Sequence, residues 1–89
     1  MKLGIFFSET ESRIVERLKA ERVGIFFVQN GVYHPILNDK PPIDAELYLL
    51  KEDLETRGFS EDDLRYSVEC VDYSGLVDAV FEYEKLIWL

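Results

Sequence analysis

Two short stretches of the chain are apolar without interruption: residues 3–7 read LGIFF and residues 23–28 read VGIFFV. Runs without polar alternation suit strands covered on both faces, as in a parallel sheet packed between helices. Between them lies SETESRIVERLKAER. Ser8 followed three positions later by Glu11 has the form of a capping box. Ile14, Val15 and Leu18 fall on one helical face, with Glu16, Arg17 and Lys19 on the other. The opening is therefore expected to be strand, helix, strand, its right-handed crossover joining parallel neighbours.

After the second run comes Gln29-Asn30-Gly31-Val32-Tyr33. Asn-Gly marks a sharp turn, because both residues tolerate positive φ. A hairpin is disfavoured, since YHPILNDKPP does not alternate like a returning strand. A turn at the carboxyl end of strand two is expected, followed by one short helical turn. Pro41 and Pro42 make the next segment a loop. Residues 45–50 read as the third strand and 51–57 as a short helix ended by Gly58 as its C-cap, with Phe59 folding back over the cap. Ser60 caps a further turn over 61–64. Residues 66–71 are expected as the fourth strand. The last helix starts over 72–74, with Leu76, Val77, Val80 and Phe81 on one face. KLIWL, residues 85–89, forms a terminal strand. The order β-α-β-(α)-β-α-β-α-β indicates a three-layer α/β/α sandwich with a mainly parallel five-stranded open sheet, in a single domain over 1–89.

Composition narrows the functions this fold can serve. Eighteen acidic and 10 basic residues give a net charge of −8. Such a surface repels nucleic-acid backbones and acidic membrane leaflets, so neither is expected as a direct partner. The apolar run after Lys2 is too short for a signal-peptide core or a membrane span, which points to the cytoplasm. With 47% apolar and 13% aromatic residues in 89, the chain has more greasy surface than so small a core needs, a first hint of oligomerisation. The single cysteine, Cys70, rules out a disulfide framework within the chain and Cys-x-x-Cys zinc sites. No phosphate loop, dinucleotide-binding glycine fingerprint or Gly-x-Ser-x-Gly elbow is present, and neither a cofactor nor a metal is expected. The carboxylates at 52–53 and 61–63 read as helix-start residues favoured by the macrodipole rather than as a hydrolytic pair.

Three segments together resemble the TusB/DsrH branch of the DsrE/DsrF/DsrH family of sulfur-relay subunits. FFVQNGVY, residues 26–33, looks like that branch's strand-end turn "IxDGVY". LYLLKEDLETRGF, residues 47–59, looks like its "ALxEDxEARG" strand, helix and cap. VDYSGLVDAVFEYEKLIWL, residues 71–89, looks like its "IDYxGFVDLVxxHxKVxxW" ending. The resemblance implies cytoplasmic complexes with DsrE/TusD-like and DsrF/TusC-like subunits. These complexes pass persulfide sulfur between cysteines, toward 2-thiouridine in tRNA or in sulfur oxidation. It also implies that the sulfur-accepting cysteine of DsrE/TusD-type subunits lies at the end of the third strand, about eight residues before the Arg-Gly cap. Counted back from Arg57-Gly58, that place falls at or next to Leu50, which has no nucleophile. Some DsrH proteins carry a cysteine shortly before strand two; residues 13–22 here have none. The expected role is a non-catalytic subunit of such a complex. The alternatives are a persulfide carrier using Cys70, or a self-associating module of unrelated role.

Individual candidates follow from both readings. Cys70 lies within an expected strand, with no cation adjoining it in sequence, and core packing is its expected role. His34 precedes Pro35 in a loop and is expected to face solvent. The resemblance keeps it as a site-wall candidate, because the strand-end turns lie near the transfer site of the cysteine-bearing subunit. Asn30, Gly31 and Tyr33 form either a strand-terminating turn with an aromatic plug or a subunit contact, since ligands of open α/β sheets gather at the carboxyl ends of strands. Tyr73, Tyr83, Trp88 and the adjacent Ile87 are interface candidates near the carboxyl end. Trp88 packs either on its own sheet or against a neighbour.

Overall fold

The computed structural model describes residues 2–8 and 22–88. The expected first helix lies outside the described residues, as does Glu11 of its capping box. Five strands form one sheet: β1 (Lys2–Phe7), β2 (Arg22–Phe27), β3 (Glu46–Leu50), β4 (Glu69–Val71) and β5 (Lys85–Trp88). Their order across the sheet is β4-β3-β2-β1-β5, and every neighbouring pair is parallel. A 3₁₀ turn over Gln29–Tyr33 leads into α1 (His34–Leu37). α2 (Lys51–Thr56) follows β3 directly, and α3 (Tyr73–Val80) carries the chain from one edge of the sheet to the other.

Alternation along each strand divides the apolar residues between two faces. Leu3, Ile5, Phe7, Ile25, Phe27 and Leu49 point to one side, where Val32 of the turn and Leu54 of α2 close over them. Phe26, Val28 and Leu50 point to the other, beneath Leu76 of α3 and Tyr83.

On this second face the register lines up Trp88, Phe6, Phe26 and Tyr48 across four strands. Their rings stack in sequence at centroid distances of 5.1, 5.3 and 5.0 Å. One row toward the amino ends stand Gly4 and Gly24, and Tyr83 lies across them. A β-carbon at Gly24 would fall on the Tyr83 ring. The glycines interrupting both apolar runs therefore make room for this aromatic. The Tyr83 hydroxyl donates to Glu46 Oε1, which also accepts from Arg22 Nε at 2.8 Å.

Local sequence chemistry explains most element ends. Gly58 takes φ +81°. Its N–H reaches the Glu55 carbonyl at 2.9 Å, and the Phe59 N–H reaches that of Leu54 at 3.2 Å. This is a Schellman closure, and it returns Phe59 to the core. Asp72 caps α3 by accepting from the Gly75 N–H at 2.7 Å.

Three expectations are corrected. The fourth strand covers only Glu69–Val71, because residues 65–66 bind α1 instead of β3. The Arg65 N–H donates to the Pro35 carbonyl at 2.7 Å, and Tyr66 turns its ring toward Phe27 and His34. The positive φ in the Asn-Gly turn belongs to Gln29, at 51°, and not to Asn30 or Gly31. Gly31 is required by space: a β-carbon there would collide with the Phe7 carbonyl oxygen. The apolar face of α3 is also wider than the sheet beneath it. Leu76 is buried, whereas Val77 and Phe81 are 38% and 82% exposed.

Candidate functional site

The carboxyl ends of β1, β2 and β3 meet a turn, a helix start and the flank of α3. The turn is fixed from below and from the side. The Val28 N–H donates to the Phe7 carbonyl at 3.2 Å, and Gly31 packs on that same carbonyl. The Gln29 N–H, presented by its left-handed backbone, donates to Asp53 Oδ2 at 2.6 Å. Asn30 Oδ1 accepts from Arg57 Nη2 at 3.2 Å, while Arg57 Nη1 donates to the Asp53 carbonyl at 3.0 Å. The carboxylate of Asp53 in α2 and the guanidinium of Arg57, just past its end, thus pin the turn that ends β2.

Beside this pinned turn opens a cleft of about 460 Å³, with Phe6, Leu50, Tyr73, Phe81 and Trp88 among its walls and Gln29 and Asp53 at its polar end. Trp88 lays one ring face on Phe6 and is 59% exposed. Of its two expected roles the structure shows packing on its own sheet, with the rest of the ring uncovered. Tyr73 opens α3 with its side chain 66% exposed, while its N–H donates to Glu52 Oε2 at 2.9 Å. Leu50 ends β3 and faces the cleft. The cleft can hold apolar groups; its walls bring no thiol and no imidazole.

The interface or site-wall candidates do not converge: Tyr83 is buried over Gly4 and Gly24, and Ile87 packs against the closed core, so neither presents the interface surface expected of it. Tyr73 and Trp88 line the cleft, with Asn30 and Gly31 in the adjoining turn. Tyr33 and His34 turn to the opposite side of the sheet. Tyr33 meets Phe59 edge-on at 5.8 Å. His34 is not the solvent-facing loop residue expected. It is the half-buried first residue of α1, stacked on Phe27 at 5.8 Å and edge-on to Phe7 at 5.5 Å, with Nδ1 2.8 Å from the Tyr66 hydroxyl. Burial pushes the Tyr66 phenol up, so it stays protonated as this partner.

Cys70 sits in β4 opposite Leu49, on the face of the closed core and one strand away from the cleft. It is half-buried, with Sγ 4.0 Å from the Val68 carbonyl. Burial, and then the Glu61 carboxylate, push its thiol up to about 11, against an opposing pull from Lys51. Among the described residues no group of three His, Cys, Asp or Glu side chains is placed to hold a metal ion. No described helix is long and apolar enough to cross a membrane.

Sequence reasoning missed Phe6, Gln29, Asp53, Val77 and Phe81 as cleft residues. Val77 and Phe81 stand four apart on one helical stripe, and that spacing was readable. Gln29 and Asp53 become neighbours only through the parallel pairing of β2 with β3.

A small α/β protein with a wholly parallel sheet and an apolar cleft at its strand ends is the class that fold and site define. Comparison with known proteins makes this specific. The family model of DsrH-like proteins matches residues 7–86. Protein TusB of Photorhabdus laumondii is 30% identical over 86 residues, covering 90% of each chain. The solution NMR structure of protein Tm0979 from Thermotoga maritima superimposes with a TM-score of 0.66. It is 27% identical and covers 92% of this chain and 93% of that one. The chain belongs to the DsrH-like family, in its TusB/DsrH branch.

Proposed function

We propose that this chain is a non-catalytic subunit of a cytoplasmic sulfur-relay complex, assembled with DsrE/TusD-like and DsrF/TusC-like partners. The complex would serve tRNA 2-thiolation or sulfur oxidation. The partner's thiolate attacks the terminal sulfur of a persulfide, the S–S bond breaks, and the donor leaves as a thiolate. This chain lends shape and surface to that step, acting as one domain and binding neither cofactor nor nucleic acid itself.

The observation carrying this reading is Leu50. At the strand end where the resemblance places the sulfur-accepting cysteine of DsrE/TusD-type subunits, an aliphatic side chain faces the cleft. Cys70 is a poor substitute. With its thiol near 11, on the order of one molecule in ten thousand carries the thiolate at pH 7. The test is reconstitution with DsrE-type and DsrF-type subunits. A Cys70→Ser chain should assemble with them and support sulfur transfer to within about twofold of wild type. A persulfide formed on Cys70 of the isolated chain and passed to an acceptor would refute the reading. Transfer lost in the Cys70→Ser complex while assembly persists would refute it equally.

A further inference from the structure

We propose that the cleft between α3 and the carboxyl half of the sheet is a docking groove for a partner protein segment whose apolar anchor is flanked by lysine or arginine. Five large hydrophobics are exposed together on this side of the molecule: Tyr73, Val77, Phe81, Leu86 and Trp88. Phe81 is 82% exposed at the end of α3. Wet apolar surface so concentrated on a small domain marks an interaction site, and Trp and Tyr are the side chains such sites favour as anchors.

Charge selects the occupant. Among the described residues Asp53 is the one ionisable carboxylate in the wall; it lies 3.9 Å from Arg57, whose Nη1 donates to a backbone carbonyl and Nη2 to Asn30. Glu52 and Asp72 flank Tyr73, and Asp78 and Glu82 are exposed along and just past α3. Among the described residues no lysine or arginine lines the cleft. Lys85 alternates onto the opposite face of β5 with Ile87. Lys2 and Arg22 stand at the far, amino end of the sheet, and Lys51 lies near Cys70. An apolar groove with an anionic rim is complementary to an apolar segment bracketed by cations. A second copy fits worse. A two-fold contact through this face would set the same carboxylates against each other, between chains already at −8.

The groove is independent of the relay reading, which supplies only the identity of the partner, and two measurements keep them apart. Trp88 is the single tryptophan and forms part of the wall, so its emission reports occupancy. The protein is titrated with a Leu-Phe-Leu peptide bracketed by lysines and with the same core bracketed by glutamates. Saturable binding of the lysine peptide, at least about tenfold tighter at low salt and converging with the other at high salt, is expected. Phe81→Ser should weaken it about tenfold while leaving the fold intact by circular dichroism. Equal affinity for both peptides, no saturable response, or a concentration-dependent dimer that masks Trp88 would overturn the groove. In parallel, DsrE-type and DsrF-type subunits are mixed with wild type and with Phe81→Ser. Assembly weakened by the substitution supports groove and relay reading together. Assembly indifferent to it leaves the relay reading and, where the lysine peptide still binds, assigns the groove to a partner other than these subunits. Peptide binding without assembly keeps the groove and removes the relay reading.

Discussion

Ile5, Ile25, Phe27 and Leu49 on one face of the sheet are wholly removed from water, whereas the other face, buried at Phe26 and Val28, ends toward the β5 edge in a half-buried Phe6 and a Trp88 that is 59% exposed. Both faces are built from the same apolar runs, so hydrophobicity does not separate them. Coverage does. The closed face receives the turn after β2, α2, Phe59 and Tyr66. The open face receives the eight-residue α3 and Tyr83, and the carboxyl end of β5 stays exposed at Trp88. A strand sequence apolar on both sides therefore promises two covered faces without saying that its own chain supplies both covers. Among the described residues most of the exposed large hydrophobics lie on this open face, on α3 and beside it, with Leu37 at the end of α1 apart from them.

The most severe break in the closed face is expected at Gly31, where any β-carbon meets the Phe7 carbonyl. Gly31→Ala should cost about 4 kcal/mol or more, a large share of the roughly 5–15 kcal/mol of a small domain. Urea unfolding checks this, and a near-neutral result would show that the turn is free to move off β1. Next, Phe27→Ala should cost about 3–5 kcal/mol, removing a fully buried ring against which His34 stacks. Phe81→Ser, on the open side, should stay within about 0.5 kcal/mol in the isolated chain. Similar losses for these two would erase the distinction between the faces.

Chemical access should follow the same division. Cys70 faces the closed core with its thiol near 11. Iodoacetamide should therefore label it slowly at pH 7, at a rate still climbing about tenfold per pH unit at pH 9–10. Acrylamide should quench Trp88 readily under the same conditions. Rapid labelling with a plateau near pH 8 would place the thiol outside the core.

Much of this architecture was legible in the chain. LGIFF and VGIFFV do form paired parallel strands, Gly58 does close α2, and Ser60 does cap the turn that follows. These features were readable because each is decided within a few residues by backbone sterics or one local hydrogen bond. What escaped depends on distant partners. His34 looked like a loop residue because nothing near it announces Phe27 or Tyr66. Residue pattern alone makes the fourth strand too long, because it does not reveal that Arg65 binds the Pro35 and Ile36 carbonyls. The cleft was half visible. Tyr73 and Trp88 were suspected from their chemistry, whereas Asp53 and Gln29 needed the register of the sheet.

The smallest effect is expected at the amino end of the open face, and its sign reverses across the pH scale. Arg22, followed by the Tyr83 hydroxyl, holds Glu46 below its ordinary value of 4.5. A depressed carboxyl contributes stability above that value and loses it as pH falls through the folded pKa. Tyr83 behaves oppositely. Burial, then the Glu46 carboxylate, raise its phenol above the ordinary 10.0, so its contribution is complete below pH 10 and fades as pH rises further. Thermal stability should therefore be flat between about pH 5 and 9 and fall on both sides. Glu46→Gln should lower the plateau slightly and, relative to wild type, flatten the acid limb, because the ion pair is largely open to water. The alkaline limb should survive, since desolvation of Tyr83 by Phe26 and the glycine floor is untouched. An acid limb unchanged by Glu46→Gln would show that Arg22 and Tyr83 do not act on this carboxylate, leaving Tyr83 over the two glycines by ring packing alone.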